Sequence, residues 1–300
     1  GNRISVRATA SRIGYRRVAA VSASTRPVTA GRFAATARPL VRGTARVGET
    51  VSATAGSWVP APSSLTYQWS AAGKPVKNAS RPTLRVGPAL AGKALRVTVT
   101  ATRAGYRPLG TSSVKTEPVA LGRITTQGAP ALVGSARPGG ALRLHDASFT
   151  PRDAVVSVTW WRSGVRVKGL KGTSYRVSGT DLGARIAARM TLTAPGYRTR
   201  TLRTPYTARV RSVARVRLTV GGRHGHVRAT VSLSAPGVRH VTGKVRIGWR
   251  GRTLRQVVLH GGSATSTLNG VPAGVRRLAV TYTGSRLVAP RTVTRTVRVR

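Results

Sequence analysis

The sequence predicts an all-β protein made of tandem β-sandwich domains, arranged as an extended array of beads on a string. A hydrophobic period of two residues and an internal repeat together carry this prediction. Leu95-Arg96-Val97-Thr98-Val99-Thr100 alternates apolar and polar side chains, as half-buried strands do. Turns that contain Gly or Pro separate such runs every ~8–12 residues, the spacing typical of a sandwich. No window has the pattern of a capped amphipathic helix.

The repeat is most visible in a Gly-Tyr-Arg tripeptide that begins at residues 14, 105 and 196, a spacing of 91 residues. Trp58-Val59-Pro60 and Trp69 match Phe149-Thr150-Pro151 and Trp160 in the same register. A fixed period predicts one structural unit per repeat. We therefore predict the C-terminal part of a truncated repeat at 1–38, repeats at 39–129 and 130–209, and a different unit at 210–300. Any targeting signal is expected to precede Gly1.

Two stretches resemble known families. The pattern Gly56-Ser57-Trp58, Tyr67-Gln68-Trp69 and Gly105-Tyr106 is similar to the Ig-like tandem repeats of secreted actinobacterial surface proteins and hydrolases, although Phe149 replaces the first Trp in the second copy. Residues 210–300 resemble the bacterial Ig-like domain of the group 3 type through Gly243-Lys244-Val245 and Val280-Thr281-Tyr282-Thr283-Gly284. The resemblance implies an Ig-like fold and a secreted, extracellular or cell-surface location, and it does not fix a molecular function.

The composition excludes most kinds of active site. The chain has 52 Lys and Arg against 5 Asp and Glu, a formal net charge of +47, and no Cys. So few acids leave little for paired-carboxylate catalysis or calcium cages, and the lack of Cys removes thiolate ligands and nucleophiles. His224 and His226 have the spacing of two ligands on one strand face, but a metal site needs three or four ligands. We expect no catalytic residue, cofactor or metal, no membrane insertion, and a monomer.

The tryptophans divide by strand parity. Trp69 and Trp160 are predicted core residues, because a Trp on the third strand packs across such sandwiches. Trp161 points to the opposite face and is the candidate exposed aromatic. It either stacks on a sugar ring or is half-covered by a neighbouring domain. The Gly-Tyr-Arg turns are interpreted as structural, with Gly at positive φ and Tyr packing back.

The charge itself points to binding. Residues 210–300 contain 18 Lys and Arg and no acid, and a surface of one sign attracts polyanions. The candidate polyanion-binding residues are Arg211, Arg215, Arg217, Arg246, Arg250, Arg252, Arg295 and Arg298. The leading hypothesis is a non-catalytic stalk or adhesion array that tethers an attached domain at an anionic cell wall, through wall polymers or acidic glycans. The alternatives are a non-specific DNA-binding module and the C-terminal accessory region of a secreted hydrolase.

Overall fold

The computed structural model describes residues 1–145, 147–223 and 226–299, and at residues 222 and 223 it describes the backbone only. These residues form strands and two 3₁₀ turns, and no α-helix occurs among them. The chain folds into two compact units, residues 1–123 with 194–198 and residues 124–193 with 199–300. Within the described ranges, no helix has the length and apolar character needed to cross a membrane.

The first unit begins with an antiparallel hairpin of β1 (Arg7–Ala10) and β2 (Val18–Val21), in which every residue is exposed. A sandwich follows. Its strands are β3 (Gly31–Arg32), β4 (Ala34–Ala37), β5 (Val41–Arg42), β6 (Thr50–Ala53), β7 (Ser57–Val59), β8 (Ser64–Ala71), β9 (Lys74–Pro75), β10 (Thr83–Arg85), β11 (Leu95–Thr102), β12 (Tyr106–Arg107) and β13 (Leu109–Ser112). A 3₁₀ turn spans Pro88–Leu90. The main sheets have the orders β10-β6-β5 and β13-β11-β8-β9, and β4 pairs with β7.

The second sandwich repeats the first at an offset of 91 residues. Its strands are β14 (Gly122–Arg123), β15 (Thr125–Gln127), β16 (Ala131–Gly134), β17 (Ala141–His145), β18 (Ser148–Thr150), β19 (Val155–Arg162), β20 (Val165–Arg166), β21 (Ser174–Arg176), β22 (Ile186–Thr193), β23 (Tyr197–Arg198) and β24 (Arg200–Arg203), with a 3₁₀ turn at Gly179–Asp181. The sheets have the orders β16-β17-β21 and β20-β19-β22-β24. The bounds of β8, β11 and β13 coincide with those of β19, β22 and β24 after the shift, which confirms the repeat.

The third sandwich has longer strands and a different arrangement. They are β25 (Ser212–Val213), β26 (Arg215–Arg223), β27 (His226–Ser234), β28 (Lys244–Trp249), β29 (Arg252–Val258), β30 (Ser263–Asn269), β31 (Gly274–Tyr282), β32 (Val288–Ala289) and β33 (Arg291–Val299). They form sheets of the orders β26-β27-β30 and β29-β28-β31-β33. The all-β fold of tandem sandwiches is thus confirmed. The predicted domain limits stay predictions, and the pairing of β4 with β7 joins four residues of the predicted segment 1–38 to the sheets of the next repeat.

Each core lies between two sheets. Trp69 and Trp160 are 0% exposed, which confirms their predicted place. In the second sandwich, the Trp160 ring on β19 lies 5.2 Å from the Tyr175 ring on β21, so side chains of the two sheets meet directly. Both indole N–H groups are satisfied, because Trp69 donates to the Arg81 carbonyl at 2.9 Å and Trp160 to the Gly172 carbonyl at 3.0 Å. A buried indole normally needs such a partner.

The Gly-Tyr-Arg turns have the predicted structural form. All three glycines have positive φ, and Tyr106 and Tyr197 are half-buried as predicted. Tyr15 of the first turn is 72% exposed, so the prediction that Tyr packs back is wrong there. Tyr197 lies so close to Gly122 that a Cβ there would come within 2.4 Å of its ring. The two segments also form a short parallel ladder, β14 with β23. Glycine is required at residue 122 because a tyrosine ring occupies the place of a side chain.

Candidate anion-binding surface

The eight candidate arginines are all exposed, but they do not share one surface. Arg215 and Arg217 lie on the outer face of the β26-β27-β30 sheet, opposite Ser234 and Ser232 of the neighbouring strand. Successive side chains of a strand point to opposite faces, so the alternating Val216 faces inward and packs against the core. Arg211 precedes this sheet and is exposed, although its neighbours Val210 and Ser212 are buried.

A second group lies on the four-stranded sheet of the same domain. Arg246 stands on the outer face of β28, and its Nε donates to the Gln256 side chain at 3.2 Å. Arg298 is paired across the strands with exposed Val275. Arg250 and Arg252 flank the turn from β28 to β29. The Arg250 guanidinium carbon lies 4.9 Å from the centre of the Trp249 ring, a cation–π contact.

Arg295 differs from the other seven. It is paired with fully buried Leu278 and shares its parity with Val293 and Val297, which pack against the core. Its side chain therefore leaves the strand on the core side and reaches solvent at the edge of the sheet. Arg295 therefore occupies an inward position of the alternation in β33, although it is exposed like the other seven candidates.

The sequence reasoning missed further basic residues on these outer faces, among them Arg228 and Arg277. Arg228 lies on β27, and its cross-strand neighbour is Thr267. Arg277 lies on β31, where its Nη2 donates to the Thr294 hydroxyl at 3.1 Å. Strand parity would have found both, since each alternates with residues that face the core. The outer faces of this domain thus present guanidinium groups among Ser, Thr and Gln side chains.

Acid–base pairing is almost absent from the described chain. Its one ion pair is Arg162 with Asp181, at 3.4 Å, in the second sandwich. Among the described residues, no carboxylate pairs with an arginine of 210–299, and that stretch itself contains no Asp or Glu. The side chains of these arginines contact hydroxyls, amides and backbone carbonyls of the described residues. An added oxyanion would meet no competing Asp or Glu from this stretch.

The Asp181 carboxylate is part of the core of the second sandwich. It is 1% exposed and accepts hydrogen bonds from the Tyr175 hydroxyl at 2.7 Å and the Ser178 backbone amide at 2.8 Å. Burial raises the pKa of Tyr175 well above its usual value, and the hydrogen bond to the Asp181 carboxylate and its negative charge add to the rise. The first sandwich has buried Leu84 and Leu90 at the matching positions. This network is therefore a structural variant of one repeat.

The other predicted residues divide between described and undescribed parts. Trp161 lies half-buried on the outer face of the β20-β19-β22-β24 sheet, beside Arg189 and Arg203. His226 begins β27 and is exposed, whereas His224 lies outside the described residues. Nothing in the structure brings Trp161 together with the eight arginines of the last domain. It belongs to a separate basic surface that sequence reasoning had not identified.

No family model matches the chain, and no curated protein matches it. Several solved structures are similar in arrangement. The three N-terminal domains of the highly immunogenic outer capsid protein of bacteriophage RB49 share 12% identity at a TM-score of 0.30, covering 89% of this chain and 97% of that chain. An ectodomain fragment of ICAM-5 shares 14% identity at 0.37, covering 99% and 83%. The chicken interferon gamma receptor alpha chain shares 10% identity at 0.35, covering 57% and 98%.

The architecture of the described chain is that of tandem β-sandwich domains. The finer assignments, to actinobacterial-type repeats and to a group 3 type for the last domain, stay predictions.

Proposed function

We propose that this chain is a non-catalytic, extracellular Ig-like array that tethers or spaces an attached domain at an anionic cell wall. The observation that carries the proposal is the acid-free domain of residues 210–300, with 18 Lys and Arg and no Asp or Glu. A surface of one sign repels copies of itself and attracts polymers of the opposite sign. The proposed partners are phosphate-bearing wall polymers or acidic glycans.

The contact is spread over many residues. The exposed arginines occupy both outer sheet faces, a turn and a sheet edge of the last domain. A planar guanidinium binds phosphate or carboxylate through two parallel hydrogen bonds. Exposed charges act over a distance of about 8 Å at physiological ionic strength, so neighbouring arginines contribute together and salt weakens them together. No single substitution is expected to abolish binding.

The placement of the aromatic residues supports wall polymers over nucleic acid. Modules that bind single strands stack bases on exposed aromatic rings. Here all five tryptophans are buried or half-buried, and of the seven tyrosines only Tyr15 and Tyr206 are exposed. Non-specific duplex binding needs only basic surface, however, and DNA therefore serves as the competitor in the test. A role as the accessory region of a secreted hydrolase is compatible with the same tether.

The test is retention of the full chain on purified Gram-positive cell wall, with and without its phosphate polymers, over a series of salt concentrations. Retention that requires the phosphate polymers and declines from low to moderate salt supports the tether. Loss of retention to trace duplex DNA would replace it with nucleic-acid binding. Failure to bind either polymer at physiological salt would leave a spacer and overturn the proposal.

Two variants of equal charge locate the surface. One replaces the eight candidate arginines of the last domain with Gln. The other replaces eight exposed basic residues of the two repeats with Gln, namely Arg42, Lys77, Arg81, Arg85, Lys93, Arg96, Arg143 and Arg176. Retention should fall much more in the first variant than in the second. An equal fall in both would mean that net charge alone is responsible and that the last domain has no special part.

A further inference from the structure

The outer face of the β20-β19-β22-β24 sheet carries two arginines that converge on one tryptophan. The Arg189 guanidinium carbon lies 4.7 Å from the centre of the Trp161 ring, and that of Arg203 lies 5.9 Å from it. The three residues come from three adjacent strands, β19, β22 and β24. Cation–π contacts hold guanidinium groups at these distances. The tryptophan therefore fixes the position of both charges.

The two arginines are direct cross-strand neighbours. Arg189 is paired with Arg203 in the antiparallel ladder of β22 and β24. The backbone amide of Thr204 donates to the Ala188 carbonyl at 2.9 Å, so the adjoining pair of Arg189 and Arg203 occupies a non-hydrogen-bonded position. Side chains approach each other more closely at such positions, and like charges placed directly opposite destabilise a sheet. No carboxylate among the described residues pairs with either arginine.

The fold does not require this arrangement. In the first sandwich the same ladder position holds Thr98 paired with Ser112, whose hydroxyls lie 2.9 Å apart in a hydrogen bond. Ser70 occupies the position that matches Trp161. One repeat thus has a neutral, self-satisfied pair where the other has two like charges and an aromatic ring. The difference is confined to one repeat and concentrates on one face.

The patch formed by Trp161, Arg189 and Arg203 also has more hydrogen-bond donors than acceptors. Trp161 Nε1 and Arg189 Nε are shielded from solvent and have no acceptor among the described residues. Both groups are donors only. Thr159 lies directly opposite Arg189 on β19. A group that brings negative charge and several acceptor oxygens would offset the repulsion between the two arginines and bind their guanidinium groups.

We propose that Arg189, Arg203 and Trp161 form a discrete site for the phosphate group of a phosphate-bearing polymer. The two guanidinium groups bind the phosphate oxygens, and the Trp161 ring holds the guanidinium groups in place. The site adds one defined contact to the diffuse electrostatic attraction of the last domain. The identity of the polymer rests on the proposed function. Phosphate fits this site because two planar guanidinium groups on the same face of the sheet can bind its several oxygens and balance its negative charge.

The test follows the Trp161 indole N–H by ¹H–¹⁵N NMR in the full chain, at constant ionic strength. Trp161→Phe identifies its signal among the five tryptophans. Inorganic phosphate is the first probe and a synthetic glycerol phosphate oligomer is the second. We expect a saturable shift of the Trp161 signal, with chloride producing none. If neither probe produces a saturable shift, the proposal is overturned, and the contact of the two arginines with the Trp161 ring is packing alone.

The matched variants come from the protein itself. Arg189→Thr with Arg203→Ser installs the residues of the first repeat and should weaken phosphate binding about tenfold or more, since each lost charged hydrogen bond has an effect of that order. Arg143→Thr with Arg176→Ser removes the same charge from another exposed face of this sandwich and should leave the dissociation constant unchanged. Equal weakening by both would mean diffuse attraction and would overturn the site.

A gain-of-function variant keeps the test valid if the first variant misfolds. Ser70→Trp, Thr98→Arg and Ser112→Arg transplant the patch to the first repeat, and a second phosphate-responsive indole signal should appear. A correctly folded transplant without that signal would count against the proposal. Wall retention is measured separately. A saturable phosphate shift without wall retention would therefore reject the tether and keep the site.

Discussion

Replacement of Asp181 by Ala tests how the second sandwich tolerates a buried acid. The carboxylate is 1% exposed and accepts hydrogen bonds from the Tyr175 hydroxyl and the Ser178 amide, besides its contact with Arg162. Removing it leaves the first two donors without their acceptor, at a cost of about 1–3 kcal/mol each. The Arg162 side chain is 43% exposed, so water replaces its partner at little cost. We expect a destabilisation of about 2–6 kcal/mol.

The reverse substitution provides the control. Tyr175→Leu with Asp181→Leu installs the residues that the first sandwich buries at these positions, Leu84 and Leu90. Replacing a buried polar pair with apolar residues of suitable volume is often neutral or stabilising. We expect this double variant to remain within about 1 kcal/mol of the parent, because no donor or acceptor is then left unpaired.

The assay must report on one domain, since a chain of several domains does not unfold in a single two-state step. Native-state hydrogen exchange of the backbone amides of β19 and β22, compared with those of β8 and β11, gives that resolution. Protection should fall only in the second sandwich of Asp181→Ala. Unchanged protection in this variant, or an equally large loss in the double leucine variant, would refute the account of the network.

Three further predictions follow from the same contacts. The raised pKa of Tyr175 means that the folded state favours the neutral phenol; its stabilising effect is complete below about pH 10 and is lost as pH rises beyond that. Unfolding free energies of the second sandwich should decline above that pH, and less steeply in Tyr175→Phe. Arg203→Ser should raise the melting temperature at low salt by relieving repulsion of about 0.2–1 kcal/mol, and the gain should shrink as salt is added; a loss of stability at low salt would contradict the reasoning. Gly122→Ala should destabilise the first unit by about 1–3 kcal/mol in urea unfolding, because the new Cβ would lie 2.4 Å from the Tyr197 ring. In the control Gly179→Ala, the new Cβ meets no neighbouring atom and should have little effect on stability.

Local patterns were sufficient to predict the sandwich fold and its core tryptophans. Alternation of apolar and polar residues sets which face of a strand is buried, and Trp69 and Trp160 lie where that alternation places them. The offset of 91 residues predicted equivalent strands, and the bounds of β8 and β19 agree with it. Arg295 shows the limit of the same reasoning. Inward and outward residues alternate along β33 as predicted. Arg295, however, occupies one of the inward positions, and its side chain reaches solvent at the edge of the sheet.

The anion site on the second repeat was beyond the sequence because it depends on pairing between strands. Arg189 and Arg203 are 14 residues apart in the chain, and only the register of β22 against β24 makes them neighbours. Trp161 comes from a third strand. Each residue alone resembles any other residue on the outer face of a strand. Comparison with Thr98, Ser112 and Ser70 at the matching positions gives the arrangement its meaning, and it required the pairing to be known.

The sequence by itself determined the fold class, the repeat and the sign of the surface, because period, spacing and charge are properties of residues in chain order. The tertiary structure decided which charges stand side by side and which polar groups are buried, such as Asp181 beneath Tyr175. Those outcomes depend on strand register and on the facing of two sheets. A shift of register by one residue would exchange the inner and outer faces of a strand. The proposed site therefore belongs to the folded chain and to no segment of it.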